Sequence, residues 1–205
     1  MKHFLSLRCI PLLFLLVVMA FVTGCASIDD YKTQEVNAAL ELGGMFLTEG
    51  DIDKALETYD RGLLVQPDDT RLLYNKIAAL IKASRFGEAA EVSRISYERH
   101  PHLLRFAKAQ AASLELAGQA AEAIPIWREI IDLDPADSES RIRLMNLLID
   151  AQAYDVARDH ALFLLDRKSN DKAALEALVQ IDGATRGTSE PWSTLLEAGF
   201  PVPVK

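Results

Sequence analysis

The chain has 205 residues, half of them hydrophobic and a quarter charged, so it can bury a core and is not compositionally disordered. Its 30 acidic residues outnumber its 22 basic residues, which gives a formal net charge of −8. Because nucleic-acid binding depends on Lys and Arg facing phosphate, this balance argues against a nucleic-acid partner.

The first 24 residues have the pattern of a signal peptide. Lys2 and Arg8 supply positive charge without any acid, and residues 10–22 form an unbroken apolar run. As a helix this run rises about 20 Å, short of the ~30 Å hydrocarbon core of a bilayer, so a cleaved signal peptide is favoured over a permanent transmembrane helix. Without the two cations of this segment the net charge falls from −8 to −10.

The end of the apolar run, Val22-Thr23-Gly24-Cys25, resembles the lipobox of bacterial lipoproteins. The resemblance implies that Cys25 becomes the first residue and carries acyl chains such as palmitate, which hold a protein at a bilayer. The alternative is ordinary signal-peptidase cleavage after Ala26. Because Ala26 stands where an Asp would signal inner-membrane retention, we expect an outer-membrane protein facing the periplasm. Residues 25–35 form a lipidated tether, whose reach when fully extended is about 30 Å.

An internal repeat of 34 residues follows the tether. Four alanines recur at this spacing, and so do three prolines: Ala55, Ala89, Ala123 and Ala157, with Pro67, Pro101 and Pro135. A fixed period of this length indicates stacked supersecondary units. The period predicts four units, at residues 36–69, 70–103, 104–137 and 138–171.

The unit resembles the tetratricopeptide repeat. The first and third units carry the pattern most completely, with Gly43, Phe46, Gly50, Ala55, Tyr59, Gly62 and Pro67, and with Ala111, Leu114, Gly118, Ala123, Trp127, Ile130 and Pro135. Small residues allow two antiparallel helices to cross closely, and Gly50 and Gly118 are suited to ending a helix at positive φ. The pairs Asp68-Asp69 and Asp137-Ser138 are placed to cap the following helix. The predicted fold is all-α, a right-handed superhelical solenoid of about four helix-turn-helix repeats plus a C-terminal capping helix.

Residues 172–205 hold that capping helix and a tail that contains proline and glycine. The helical pattern covers residues 171–181 and is expected to stop at Asp182-Gly183. In the tail, Trp192, Leu195 and Leu196 lie at helical spacing and predict a short helix. This segment either covers the end of the solenoid or docks a partner.

The mature chain lacks the usual motifs of enzymes, metal sites and nucleotide sites. His100 and His102 flank Pro101 in an inter-repeat turn, where surface residues are expected, and His160 is interpreted as a packed or solvated side chain. The sequence therefore predicts no catalytic residue, no metal and no cofactor.

In the family that the chain resembles, ligands bind in a concave groove that is lined by the first helix of each repeat. Carrying its groove positions over selects polar and aromatic residues in the second, third and fourth units: Arg71, Tyr74, Asn75, Lys82, Arg105, Lys108, Arg143 and Asn146. The resemblance implies a protein or peptide partner, and the cations among these residues favour an acidic one. The sequence thus favours a membrane-anchored scaffold with an envelope-assembly or adaptor role. The alternatives are a ligand-binding accessory subunit of a transport system, or an enzyme whose groups converge only in space.

Overall fold

A computed structural model describes the backbone of residues 10–186 and the side chains of residues 28–185. These residues form nine α-helices and no strand, which confirms the predicted all-α fold class. The helices are α1 (Ile10–Glu49), α2 (Ile52–Val65), α3 (Thr70–Lys82), α4 (Phe86–Arg99), α5 (Leu104–Leu116), α6 (Ala120–Leu133), α7 (Ser138–Asp150), α8 (Tyr154–Arg167) and α9 (Lys172–Arg186). Within residues 28–185, no helix is both long and apolar enough to cross a membrane.

The helix boundaries follow the 34-residue period. Helices α2, α4, α6 and α8 each have 14 residues, and their first residues lie 34 positions apart. Helices α3, α5 and α7 each have 13 residues and begin with the same spacing. Pro67, Pro101 and Pro135 each lie two residues past the end of a helix, where a missing N–H and a fixed φ stop its continuation.

The chain divides into two compact units, Met1–Ala83 with α1 to α3 and Ser84–Lys205 with α4 to α9. In the first unit the core lies where α1, α2 and α3 meet. Tyr59 is fully buried, and Gly43 lies so close to it that an added Cβ would be 2.3 Å from a ring carbon. Gly62 similarly leaves room for Leu72 and Ala39.

The core of the second unit runs from α4 through α9. Ala89, Ala123 and Ala157 are fully buried, as is Ala55 in the first unit, so each aligned alanine lies at a close helix contact. Trp127 packs beside Ala123 in this core, and Leu178 of α9 is fully buried in it.

The turn inside each helix pair uses a left-handed residue. Gly50 and Gly118 have φ of +86° and +76°, which confirms the prediction for these two glycines. Ser84 and Gln152 occupy the same repeat position with φ of +58° and +60°. An L-residue with a side chain pays roughly 1–2 kcal/mol for this conformation, so two of the four turns carry strain.

Two aspartates cap helices as predicted. Asp69 Oδ1 accepts hydrogen bonds from the backbone N–H of Arg71 and Leu72 at the start of α3, and Asp137 Oδ1 accepts one from Ser140 at the start of α7. Leu103 stands at the equivalent position before α5, so that helix has no side-chain cap.

Residues 25–35, the predicted tether, are helical and belong to α1, because no proline or glycine between Gly24 and Gly43 interrupts the helix. One local expectation is wrong. Helix α9 continues through Gly183 to Arg186 instead of stopping at Asp182-Gly183. A glycine inside a helix lowers the stability of the helix by only about 1 kcal/mol. Asp182 is fully buried, and its Oδ1 lies 3.9 Å from Arg158 Nη2. The predicted helix at Trp192, Leu195 and Leu196 lies outside the described residues.

Candidate partner-binding surface

The eight predicted groove residues all lie on first helices of the repeats. Arg71, Tyr74, Asn75 and Lys82 are on α3 of the first unit. The other four are on α5 and α7 of the second unit: Arg105, Lys108, Arg143 and Asn146.

In the first unit, Arg71 is bound to an aspartate of its own chain. Its Nη2 lies 2.8 Å from Asp69 Oδ2, and its Nη1 donates to Asn37 Oδ1 on α1 at 3.1 Å. Burial alone would raise the pKa of the Asp69 carboxyl. The hydrogen bonds from the Arg71 side chain and from the N–H of Leu72 and Arg71 outweigh burial and hold this pKa below its usual value. The guanidinium therefore stabilises a helix cap and connects α3 to α1.

The other polar residues of α3 also contact the protein itself. Lys82 Nζ donates to the carbonyl oxygen of Leu47 at 2.6 Å, in the last turn of α1. A cation at a helix C-terminus is favourable because the carbonyls there lack intrahelical partners. Asn75 Nδ2 donates to the Arg71 carbonyl at 2.8 Å. Tyr74 is 46% exposed on the same helix.

In the second unit, two ion pairs connect α5 with α7. Lys108 Nζ lies 2.6 Å from Asp137 Oδ2, and Arg143 Nη1 lies 3.2 Å from Glu115 Oε1. Burial would raise the pKa of the Asp137 carboxyl, but the donors on Lys108 and Ser140 lower it further than burial raises it. These cations hold consecutive first helices together.

The remaining predicted residues of the second unit are exposed. Arg105 has its guanidinium carbon 5.2 Å from the ring centre of Phe106, and Asn146 is exposed on α7. Leu116, at the end of α5, is 52% exposed. On the first helices, the large side chains that face solvent thus include Tyr74 and Leu116, whereas Arg71, Lys82 and Lys108 are engaged within the chain.

A second cationic cluster, on α6, α7 and α8, was not predicted as a site. Arg141 is only 7% exposed, with its guanidinium carbon 3.7 Å from the ring centre of Phe163. Arg141 Nη1 donates to His160 Nδ1 at 3.1 Å and Nη2 donates to the Pro135 carbonyl at 3.3 Å, while its Nε has no partner. The guanidinium carbon of Arg167 lies 5.7 Å from the centre of the same ring.

The electrostatics of this cluster reflect its surplus of positive charge. Burial lowers the pKa of the Arg141 guanidinium, and Arg167 lowers it further. Burial also lowers the pKa of His160, and Arg141 and Arg128 add to the effect against an opposing influence of Asp159. One sequence signal could have revealed the site: Arg141 stands at a repeat position that otherwise holds Ala39, Leu73 and Ala107.

Other polar clusters are sparse in the part of the chain that the structure describes. No three His, Cys, Asp or Glu side chains there are grouped as metal ligands. His100 and His102 stack edge to face with ring centres 6.3 Å apart. In the first unit, a surface cleft of about 360 Å³ lies between α1 and α2, with Ala38, Ala39, Leu42 and Gly62 among its lining residues.

Comparison with solved structures identifies the architecture. A tetratricopeptide repeat protein from Parabacteroides merdae matches with a TM-score of 0.71 and 16% identity, covering 80% of this chain and 66% of that one. The chain has the tetratricopeptide-repeat fold. The MamA RS-1 ArsTM double mutant matches with a TM-score of 0.68 and 15% identity, over 80% and 94% of the two chains.

A further tetratricopeptide-repeat structure is the first repeat domain of Spaghetti (RPAP3), bound to the HSP90 peptide SRMEEVD. It matches with a TM-score of 0.52 and 19% identity, over 58% of this chain and 94% of that one. No protein-family model and no curated protein matches the sequence. The likeness is therefore one of fold.

Proposed function

We propose that the protein is a non-catalytic scaffold that binds protein partners through exposed side chains on the first helices of each of its two units. The observation that carries this proposal is the exposure of Tyr74 and Leu116 on helices that resemble the ligand-binding helices of the fold. Exposed aromatic and large apolar side chains are typical anchors of protein interfaces. The peptide complex of the structurally similar RPAP3 domain gives the same expectation for this chain.

The face is best suited to a partner with apolar anchors. Arg71, Lys82 and Lys108 already contact Asp69, the Leu47 carbonyl and Asp137, so a ligand carboxylate would have to compete with these contacts. We therefore do not assign recognition of an acidic partner to these three cations.

Site-specific photo-cross-linking tests the scaffold proposal. A photoreactive residue replaces Tyr74 or Leu116 in cells that express the full chain. Matched controls carry the same residue at Leu64 or Leu133, which are 83% and 58% exposed on second helices. We expect defined cross-linked species from the first-helix positions only. Equal cross-linking from all four positions, or none from Tyr74 and Leu116, would contradict the proposal.

We further propose that acyl chains on Cys25 hold this scaffold at the bacterial outer membrane, facing the periplasm. The support is the Val22-Thr23-Gly24-Cys25 motif after the apolar run. Such placement would fit an adaptor in assembly of the cell envelope. Covalent lipid contributes about 0.8 kcal/mol per buried CH₂, so two or more chains give stable anchoring.

The anchor has a direct chemical test. Mass spectrometry of the processed N-terminus should find an acylated Cys25, and Cys25→Ser should be released to the soluble fraction or remain uncleaved. An unmodified N-terminus at Ser27 would instead indicate ordinary cleavage after Ala26. Normal processing and membrane retention of the Cys25→Ser variant would contradict lipid anchoring, and separation of inner from outer membranes checks the location.

A further inference from the structure

The cluster called here the Arg141 site contains three guanidinium groups without an ion pair among residues 28–185. Its members are Arg128, Arg141, His160, Phe163 and Arg167. The equivalent repeat positions to Arg141 hold buried apolar residues, Ala39, Leu73 and Ala107, so packing at this position does not require a guanidinium. The positions equivalent to His160 hold Thr58, Val92 and Ile126. The contacts of Arg141 with the Phe163 ring, His160 and the Pro135 carbonyl offset part of the cost of burying a cation, but no acid neutralises it and its Nε has no partner.

No carboxylate of the described residues satisfies these arginines. Arg128, Arg141 and Arg167 form no ion pair within 4.0 Å among residues 28–185. Two acids of the preceding turn are engaged elsewhere: Asp137 by Lys108 and Ser140, and Asp134 by the N–H of Ala136. The unpaired guanidinium groups lie on a surface that solvent reaches through exposed Arg128 and Arg167.

The hydrogen bonding of His160 adds a donor to the site. Arginine can only donate, so His160 Nδ1 must accept from Arg141 Nη1 and the imidazole must be neutral. Its proton is then on Nε2, which is available to an acceptor. The half-buried histidine thus contributes an N–H beside two exposed guanidinium groups, and Phe163, 36% exposed, supplies an apolar surface next to them.

We propose that the Arg141 site binds a carboxylate of a partner protein, with an apolar side chain of the same segment packed on Phe163. The inference rests on the proposed scaffold function and places acidic recognition on α6, α7 and α8. Arg128 and Arg167 contact the carboxylate, His160 donates from Nε2, and Arg141 supplies positive potential from below the ring. Guanidinium groups suit carboxylates because their paired N–H donors match both oxygens.

A single carboxylate fits the surroundings better than a polyanion. Asp132, Asp159 and Asp166 border the cluster in sequence and are exposed. Together with the net charge of −8, they would repel a nucleic acid or an extended anionic membrane surface. These aspartates repel a single carboxylate less strongly than a polyanion, because the repulsion grows with the charge of the ligand.

The test uses the full chain, purified in detergent and immobilised, and a library of random heptapeptides with free C-termini. We expect the selected peptides to carry Asp, Glu or a terminal carboxylate beside an apolar residue. Affinity measured by fluorescence anisotropy should fall about tenfold or more in Arg167→Gln and in Arg141→Leu, and should fall as salt is raised. Arg141→Leu copies the residue of the second repeat, Leu73, so folding should be retained.

The matched control is Arg94→Gln, which removes a partly exposed guanidinium that is already paired with Glu91 and Glu98. This variant should bind the selected peptides as the parent does. Equal losses in all three variants, acidic peptides that bind the Arg141→Leu variant normally, or a selection without acidic peptides would each overturn the inference. Binding of phosphatidylglycerol vesicles that depends on Arg141 and Arg167, without peptide binding, would also overturn it.

The two proposals can fail separately. If Arg141→Leu retains the cross-links from Tyr74 and Leu116 but no acidic peptide binds at the Arg141 site, the scaffold stands and the carboxylate site is wrong. If acidic peptides bind at the Arg141 site while Tyr74 and Leu116 give no cross-links, the first-helix face is wrong.

Discussion

Two adjacent glycines in α1 should respond in opposite ways to the same substitution. At Gly43 an added Cβ would lie 2.3, 2.6 and 2.9 Å from three ring carbons of Tyr59, whereas at Gly44 it would meet nothing within 4 Å. Tyr59 is fully buried, so its ring has little freedom to move away. Gly43→Ala should therefore overpack the contact between α1 and α2.

The magnitudes follow from two opposing effects. Replacing a helical glycine by alanine stabilises the helix by about 1 kcal/mol, and overpacking a core costs about 1–3 kcal/mol. Gly44→Ala should raise the free energy of unfolding by about 1 kcal/mol, and Gly43→Ala should lie about 1–3 kcal/mol below it. Because both variants make the same change in the same helix, their effects on the unfolded chain cancel in the comparison.

Urea unfolding followed by circular dichroism at 222 nm measures the difference. With a slope of about 1–3 kcal/mol per molar urea, the two midpoints should be separated by roughly 1 M. Tyr59→Phe is a useful control because the hydroxyl of Tyr59 is buried without a partner, so its removal should be neutral or stabilising and should not relieve the ring contact. Equal stabilisation by both alanine variants would refute the close approach of Gly43 to Tyr59.

Three further predictions concern turns, protonation and packing. Ser84→Gly and Gln152→Gly should each stabilise the protein by about 0.5–1 kcal/mol, since relief of a left-handed residue exceeds the added entropy of the unfolded chain; lower urea midpoints would contradict this. The pKa of His160 is lowered from 6.5, so the unfolded state binds its proton more readily and stability is lost as the pH falls below about 6.5. His160→Gln should flatten this part of the pH profile of unfolding, and parallel profiles would show that His160 does not contribute. Ala123→Leu, at a fully buried helix crossing, should cost about 1–3 kcal/mol in thermal or urea unfolding, and an unchanged midpoint would mean that the site has unfilled space.

The elements that repeat in the sequence were the ones that could be predicted. Alanines at a fixed spacing of 34 residues place a small side chain at the same contact each time, and Ala55, Ala89, Ala123 and Ala157 are all fully buried. Gly50 and Gly118 allowed two of the turns to be predicted, because glycine adopts positive φ without a steric penalty. Ser84 and Gln152 adopt the same φ without any local signal, because the fixed geometry of the repeat overrides their own preference.

The candidate site was harder to predict because function there depends on which charges remain unpaired. Lys108 was predicted as a groove residue from its position on the helix, but its acid became evident only in the fold, since Lys108 and Asp137 are 29 positions apart. Arg141 could not be predicted as a site residue. Its repeat position predicts an apolar core residue, and sequence alone did not show that the guanidinium is buried there without an acid.

Asp137 makes the unfolding of neighbouring repeats interdependent. The same carboxylate caps the start of α7 through Ser140 and holds Lys108 of α5 at 2.6 Å. In a linear array, stability is divided between the intrinsic stability of each repeat and the coupling between neighbours, and a residue normally contributes to one or the other. Fraying of the first turn of α7 therefore also breaks the contact with Lys108, so the amide protons at the start of α7 and around Lys108 of α5 are expected to become less protected together.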